Sequence, residues 1–390
     1  MPEEKPTPRE FLPKPEVAGS RKTSSNKKQE RNQDKTMLHL LRLGIITAII
    51  IVSGLIFVAW GTYSEEWQNS FVDSIYRVVP YPAASVGYGN WITLSDYNEN
   101  VKAMRQFLES KEAALGGGKF DFSTEDGLKR LAIVKKNVLN QLIDNEIVEI
   151  IAKQQDIVIN EAELDDTANK IISRDGKQAE NLTQLDSLYG WGTADFKEKV
   201  VKILLYKQKL EDKIRFNGEL DKEAKVRLAS VKEKLASGTD FAEVAKQYSD
   251  SPSKQYGGLL PAFSHDDAPD FFADQAFNLK PGEITQPIEA EDGWHFVKLE
   301  KKFNEGGKDK VEVRHILVKK ETLKEWLDGK KGAFKVIVFL KPYYWHSQMG
   351  KLYFKDDSLN KMEQEMDRIY LNEQNQEVDF MMNTDKKQAQ

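Results

Sequence analysis

The run Leu43–Trp60, LGIITAIIIVSGLIFVAW, contains no charged side chain, and its apolar character extends upstream from Met37 to Leu41 across the single Arg42. An α-helix rises about 1.5 Å per residue, so a stretch of this length reaches across the hydrocarbon core of a bilayer. A core helix of a soluble domain rarely dispenses with a polar face, which disfavours burial inside the fold. A cleaved secretory signal needs a small-residue site after a short apolar region, whereas this run ends in FVAWGTYSEEW. The sequence therefore predicts an uncleaved, single-pass membrane anchor over residues 37–60, with the lipid bilayer as a partner.

Charge gives the anchor a direction. Residues 1–36 carry nine Lys/Arg against six Asp/Glu, with Arg21, Lys22, Lys27, Lys28, Arg31 and Lys35 nearest the span. The positive-inside rule places this end in the cytoplasm and the bulk of the chain on the other side of the cell membrane. Residues 1–36 hold almost nothing apolar to bury and are expected to be a disordered cytoplasmic tail. Beyond the span the balance is acidic, 47 basic against 56 acidic side chains over residues 61–390, which gives no reason to expect a nucleic-acid partner. The chain has no cysteine, which excludes disulfides, thiol catalysis and Cys-ligated metal.

Residues 61–218 are expected to be mainly helical. After a short extended stretch a helix capped at Ser95 begins. A second opens on Ser123 with Asp126 as a capping box and repeats Leu128, Leu131, Val134, Val138 and Leu142. A third starts at Asn160 with Glu163 three residues on, and a fourth at Thr193 with Phe196, Val200, Ile203, Leu204 and Leu210 along one face. No catalytic constellation lies among them. From residue 219 the texture becomes α+β: a helix with Ala224, Leu228, Val231 and Leu235, stopped at Gly238, a second at TDFAEVAKQYS, a glycine-bearing loop, a short helix at PDFFADQAFNL, and two alternating strands. Residues 321–390 read as a C-terminal extension with a helix ETLKEWLDGKK, a strand FKVIVFL, a return strand GKLYFK and a closing charged helix, and are expected to form an appended hairpin unit. Tyr343, Tyr344 and Trp345 within it are expected to pack in its core rather than form an exposed surface.

The segments LASGTDFAEVAKQYSDSPSKQYGG, FFADQAFNLKPGEITQPIEAEDGWHFVKLE and VRHILVKK, within and just beyond residues 225–303, resemble the parvulin-type peptidyl-prolyl isomerases. The upstream helices resemble, more loosely, the chaperone regions of SurA-like and PrsA-like foldases. The resemblance implies that His295 and His315 are the family's paired core histidines, that Phe263 and Phe272 flank a proline pocket, and that Ser251 occupies a site position usually held by Cys or Asp. It also places Ala268 where a pocket methionine is common, and Leu259 and Pro261 where an acidic residue and a glycine are usual. Ser251 keeps a hydrogen-bonding group, Ala268 shortens a wall of the pocket, and Pro261 stiffens a loop. His265, Asp266 and Asp267 read as a solvated turn. His295 and His315 lack a third ligand at suitable spacing, so neither a metal nor another cofactor is expected.

The order of segments departs from the family. RHILV usually comes first, leading into the first helix, yet here it follows the last strand. A circular rearrangement of one domain, residues 219–320, accounts for this, since antiparallel neighbours can be joined by a turn such as NEGGKDK. With period two, His295, Val297 and Leu299 share one face of their strand and Val313, His315 and Leu317 one face of the other. The competing explanation is a truncated second parvulin unit. The resemblance implies an extracytoplasmic foldase that isomerises X-Pro bonds in unfolded or proline-containing polypeptide clients. The alternatives are a catalytically weak parvulin-fold chaperone that holds clients, and a structural subunit of an envelope assembly.

Overall fold

The computed structural model describes residues 24–64, 67, 70–114 and 121–369. Helix α1 spans Ser24–Ser64, and its segment Leu40–Ser64 is long and apolar enough to cross a membrane, about 37 Å at the usual rise. Ile45, Ile49, Ile50, Ile56 and Phe57 are all more than half exposed, so these side chains serve no core. The helix begins within the segment expected to be disordered. Residues 24–36 are rich in Lys, Gln, Glu and Arg, which an established helix extends through at little cost, while residues 1–23 lie outside the described part.

Beyond α2 (Ser70–Val78), strands β1 (Pro82–Val86) and β2 (Asn90–Thr93) form a hairpin where only a short extended stretch was expected. Helix α3 (Leu94–Ala114) is capped by Thr93 rather than Ser95, the Thr93 hydroxyl accepting the Asp96 N–H at 3.1 Å. Helix α4 (Glu125–Gln154) starts one residue later than the capping-box reading: Thr124 accepts the Gly127 N–H, because Asp121 already engages both the N–H and the hydroxyl of Ser123. Its buried face also differs, with Leu128 exposed and Ile133, Leu139, Ile143, Ile147 and Ile151 buried. A helix packed on several sides does not confine its apolar contacts to one stripe.

Helix α5 (Glu161–Ile172) opens on Asn160 as expected, the side chain accepting the Glu163 N–H. After α6 (Gln178–Tyr189), α7 (Thr193–Phe196) passes through a π-turn at Lys197–Val201 into α8 (Lys202–Phe216). The π-turn inserts a residue into the helical count and rotates the face. The buried set is therefore Val201, Leu205, Leu210 and Ile214, while Leu204, predicted inward, is 44% exposed.

The α+β region follows: α9 (Lys222–Ala236), α10 (Phe241–Tyr248), β3 (Phe263–Ser264), α11 (Asp270–Asn278), β4 (Ile288–Glu289), β5 (Gly293–Glu305) and β6 (Lys308–Lys319). The sheet order is β3-β6-β5-β4, all antiparallel. Both faces of the long β5–β6 hairpin are covered. Trp294, Phe296, Ile316 and Val318 meet Val231, Phe241 and Val244 of α9 and α10 on one face. Val297, Leu299, Val311 and Val313 meet Phe272 and Ala276 of α11 on the other. Strict alternation of side chains explains the division, since consecutive residues point to opposite faces.

The C-terminal segment is not an appendage. After α12 (Leu323–Lys331), β7 (Val336–Val338) pairs antiparallel with β1, completing a sheet of order β2-β1-β7. β8 (Tyr343–His346) and β9 (Lys351–Phe354) form a hairpin whose β9 packs on α4, and the Leu352 N–H bonds the Asn140 side chain at 2.8 Å. A helix over 357–369, α13, supplies Glu363 to the buried Lys136 of α4. The closing helix expected to run on past it reaches residues 370–390, outside the described part. Of the aromatic triplet, Tyr343 is buried against Phe354 and Tyr344 is 41% exposed, as the two faces of a strand require. The α+β region is thus inserted between two parts of one helical body. The entering and leaving chains touch, Glu321 N–H donating to Leu220 C=O and Trp326 Nε1–H to Glu219.

Candidate active site

β5 and β6 bring the two histidines together. The register pairs His295 with Leu317 and Val297 with His315, so the two rings are diagonal neighbours on one face. Nδ1 of His295 lies 3.0 Å from Nε2 of His315, with ring planes 15° apart. Both residues are buried, 6% and 8% exposed. The second nitrogen of His295, Nε2, lies 2.9 Å from Oδ1 of Asp292, on the turn that enters β5. Burial pushes His315 down to about 4, the neighbouring His295 adds to the fall, and Asp292 opposes it. His315 is therefore a neutral imidazole at pH 7.

The strand carrying His315 is held by the loop that precedes β3. His315 N–H donates to Gly258 C=O at 2.8 Å, Leu260 N–H to Val313 C=O at 3.0 Å, and Asp250 N–H to Leu317 C=O at 2.8 Å. Gly258 has φ +81, and a Cβ there would stand 2.5 Å from the His315 carbonyl oxygen. Such an approach is open only to glycine. Arg227 of α9 clamps Asp250 with two hydrogen bonds and also donates to Lys319 C=O.

The histidines form part of the wall of a groove of about 910 Å³. Phe272 stands edge-on to His315 at 5.3 Å and 89°, Phe271 edge-on to His295 at 5.3 Å, and Phe263 packs on Phe272 at 5.9 Å. Ala268, Leu260 and Pro261 line the same space. Five of the six expected site residues, His295, His315, Phe263, Phe272 and Ala268, thus share one cavity. Ser251 stands apart: its hydroxyl pairs with Ser253 at 2.9 Å, its N–H donates to Ser249, and it is absent from the lining. His265 meets Asp274 and Asp267 caps Ser264, so that triplet is engaged in local turn contacts.

Sequence reasoning missed Asp292 and Phe271. The Asp-Gly pair at the mouth of β5 was a turn signal within reach of His295, and Phe271 sits beside a residue already singled out. It also missed Glu211 and Arg215 of α8, which line the groove from the helical body. Nothing local marks them, because the chain brings them there through the insertion.

A groove with the neutral His315 imidazole and its partner His295 on the wall offers hydrogen-bonding groups to a bound amide. Residues 203–301 match the rotamase family, described as a PPIC-type PPIase domain, and residues 35–210 match the SurA-like N-terminal domain. The chain carries both domains. Similar relatives include the foldase protein PrsA of Caldanaerobacter subterraneus subsp. tengcongensis, 29% identical over 54% of this chain and 71% of that one. The chaperone SurA of Hahella chejuensis is 33% identical over 35% of this chain and 32% of its own length. The foldase protein PrsA 4 of Bacillus cereus is 33% identical over 34% and 45%. The match to the PPIase domain ends at residue 301, so the strand bearing His315 lies beyond it.

Proposed function

We infer that the protein is a membrane-anchored extracytoplasmic foldase whose PPIase domain turns X-Pro bonds in unfolded or proline-containing polypeptides. The observation that carries this is the hydrogen-bonded His295–His315 pair beside Phe272 in an apolar groove, in a chain that matches the PPIC-type PPIase domain. Amide resonance imposes a barrier of roughly 18–20 kcal/mol on the X-Pro bond. A groove that grips the proline ring and excludes water favours the twisted amide, whose resonance is lost, over either planar isomer. His295, His315 and the aromatic walls Phe263 and Phe272 are the residues assigned to that work, with Ala268 leaving room at the pocket wall. Ser251 shapes the loop that holds β6. The bulk of the chain acts outside the cytoplasm, with α1 as the anchor.

The domain is a circular rearrangement, with the family's leading strand placed after its last. Three features support this reading: β5 and β6 pair across one turn, β6 supplies the second histidine, and no strand stands between Phe216 and Lys222 where the family's first strand would be. The exit of β6 beside the entering linker also suits insertion into another body.

The full chain in detergent micelles is expected to accelerate cis/trans exchange of a short X-Pro peptide, and no acceleration over background would sink the enzymatic claim. Client holding is favoured by a second groove of about 440 Å³ in the helical body, lined by Trp91, Met104, Leu142, Tyr189, Trp191 and Ile203. Suppression of aggregation of an unfolded client without peptide turnover would make holding the activity.

A further inference from the structure

Asp292 lies in none of the roles assigned above, yet its carboxylate governs what the histidines can do. Its side chain is 56% exposed, while that of His295 is 7% exposed, and Oδ1 meets Nε2 of the ring at 2.9 Å. An ionised carboxylate only accepts hydrogen bonds, so the proton in this contact sits on His295 Nε2. A neutral imidazole carries one N–H, which leaves a lone pair on His295 Nδ1. The 3.0 Å contact to His315 is then made only if His315 Nε2–H donates, with Nδ1 of His315 bare. The opposite order would set two acceptors against each other at 2.9 Å on a ring that is itself buried, at the loss of a hydrogen bond.

We propose that Asp292 is a positioning residue that fixes the proton order along the buried histidine pair, Nε2–H on His295 and Nε2–H on His315. The order gives the wall of the groove one polarity, with every donor on the pair directed along a single chain, His315 to His295 to Asp292. Reversing His295 breaks two hydrogen bonds, and reversing His315 sets its bare Nε2 against the bare Nδ1 of His295. The consequence for catalysis rests on the isomerase reading, whereas the proton order itself does not. A client amide twisting beside His315 meets a ring whose one N–H is already committed to His295.

The test uses the full chain in detergent micelles with 15N-labelled histidine; the sequence has only five histidines, so single substitutions assign the ring nitrogens. At neutral pH the wild-type rings of His295 and His315 are each expected to show a directly bonded proton on Nε2 and none on Nδ1. In Asp292→Ala, His295 is expected to lose its single tautomer, and kcat on an X-Pro peptide to fall roughly tenfold with KM little changed, the scale of one charge-assisted hydrogen bond. Because Asp292 is mostly exposed, the amide spectrum should otherwise be retained. A wild-type proton on His295 Nδ1, or an Asp292→Ala ring spectrum identical to wild type, overturns the proposal. Wild-type rings in the expected order without peptide turnover would instead refute the isomerase reading and leave the proton order standing.

Discussion

Acid should loosen the β5–β6 hairpin through His315, and the structure sets both the sign and the size. The ring falls from its ordinary 6.5 to about 4 because burial disfavours its charged form. The unfolded chain therefore binds a proton that the folded chain refuses at any pH between those values. Stability from this group is present in full above about pH 6.5, declines as pH falls, and is gone by about pH 4. Each pH unit in the window is worth about 1.4 kcal/mol, and the whole fall about 3 kcal/mol. The perturbation is His315→Gln, which cannot titrate. Amide hydrogen exchange of β5 and β6, corrected for the intrinsic pH dependence, gives the opening free energy of wild type and variant between pH 7 and 4. Asp144, Glu146 and Glu321, which burial raises, act in the opposite direction but are common to both chains and cancel in the difference. The wild-type protein is expected to lose stability relative to the variant by about 1.4 kcal/mol per unit as pH falls through the window. A flat difference, or one that rises toward acid, would refute the assignment of a buried neutral ring.

Three further substitutions separate the parts of the fold. Phe354→Ala, in a strand where the ring is 2% exposed, should cost about 3–5 kcal/mol of the helical body, so that client holding fails at temperatures where an X-Pro peptide is still turned over. Equal loss of amide protection in β5 and β6 would show instead that the inserted domain and the helical body unfold together. Gly258→Ala, at φ +81 with the His315 carbonyl oxygen 2.5 Å from the added methyl, should cost about 2–3 kcal/mol by urea denaturation followed through peptide activity. Gly238→Ala, at φ +82 with nothing within 4 Å, should cost only the backbone penalty, about 1–2 kcal/mol. Equal costs at the two glycines would show that the close approach to β6 does not matter.

Much of the site was legible because its residues belong to two alternating strands. The spacing of His295, Val297 and Leu299 against Val313, His315 and Leu317 put both histidines on defined faces, and the register brings those faces together. Period-two patterns survive tertiary packing, since the pleat itself directs the side chains. Helix faces were less secure. At the π-turn Lys197–Val201 the buried positions are Val201 and Leu205 in place of Val200 and Leu204, while Leu210 is buried as expected, and the several neighbours of α4 buried side chains outside its main stripe. Caps shifted by one or two residues where a competing hydroxyl or carboxylate nearby took the hydrogen bond, as Asp121 does with Ser123.

By itself the sequence determined what local chemistry dictates: an apolar helix able to cross a bilayer, the two domain resemblances, the paired histidines and most of their aromatic surroundings. The helix follows from composition and the strand faces of the histidines from periodicity, while the pairing of the histidines and their aromatic surroundings are what the family resemblance of the contiguous motifs implies. Only the tertiary structure decided that residues 336–338 return to pair with 82–86, that Glu211 and Arg215 face the groove, and that Asp292 completes the histidine chain. The physical reason is that an edge strand offers the same unpaired N–H and C=O groups to any partner. Which distant segment satisfies them depends on the geometry of the whole chain, and no local pattern records that choice.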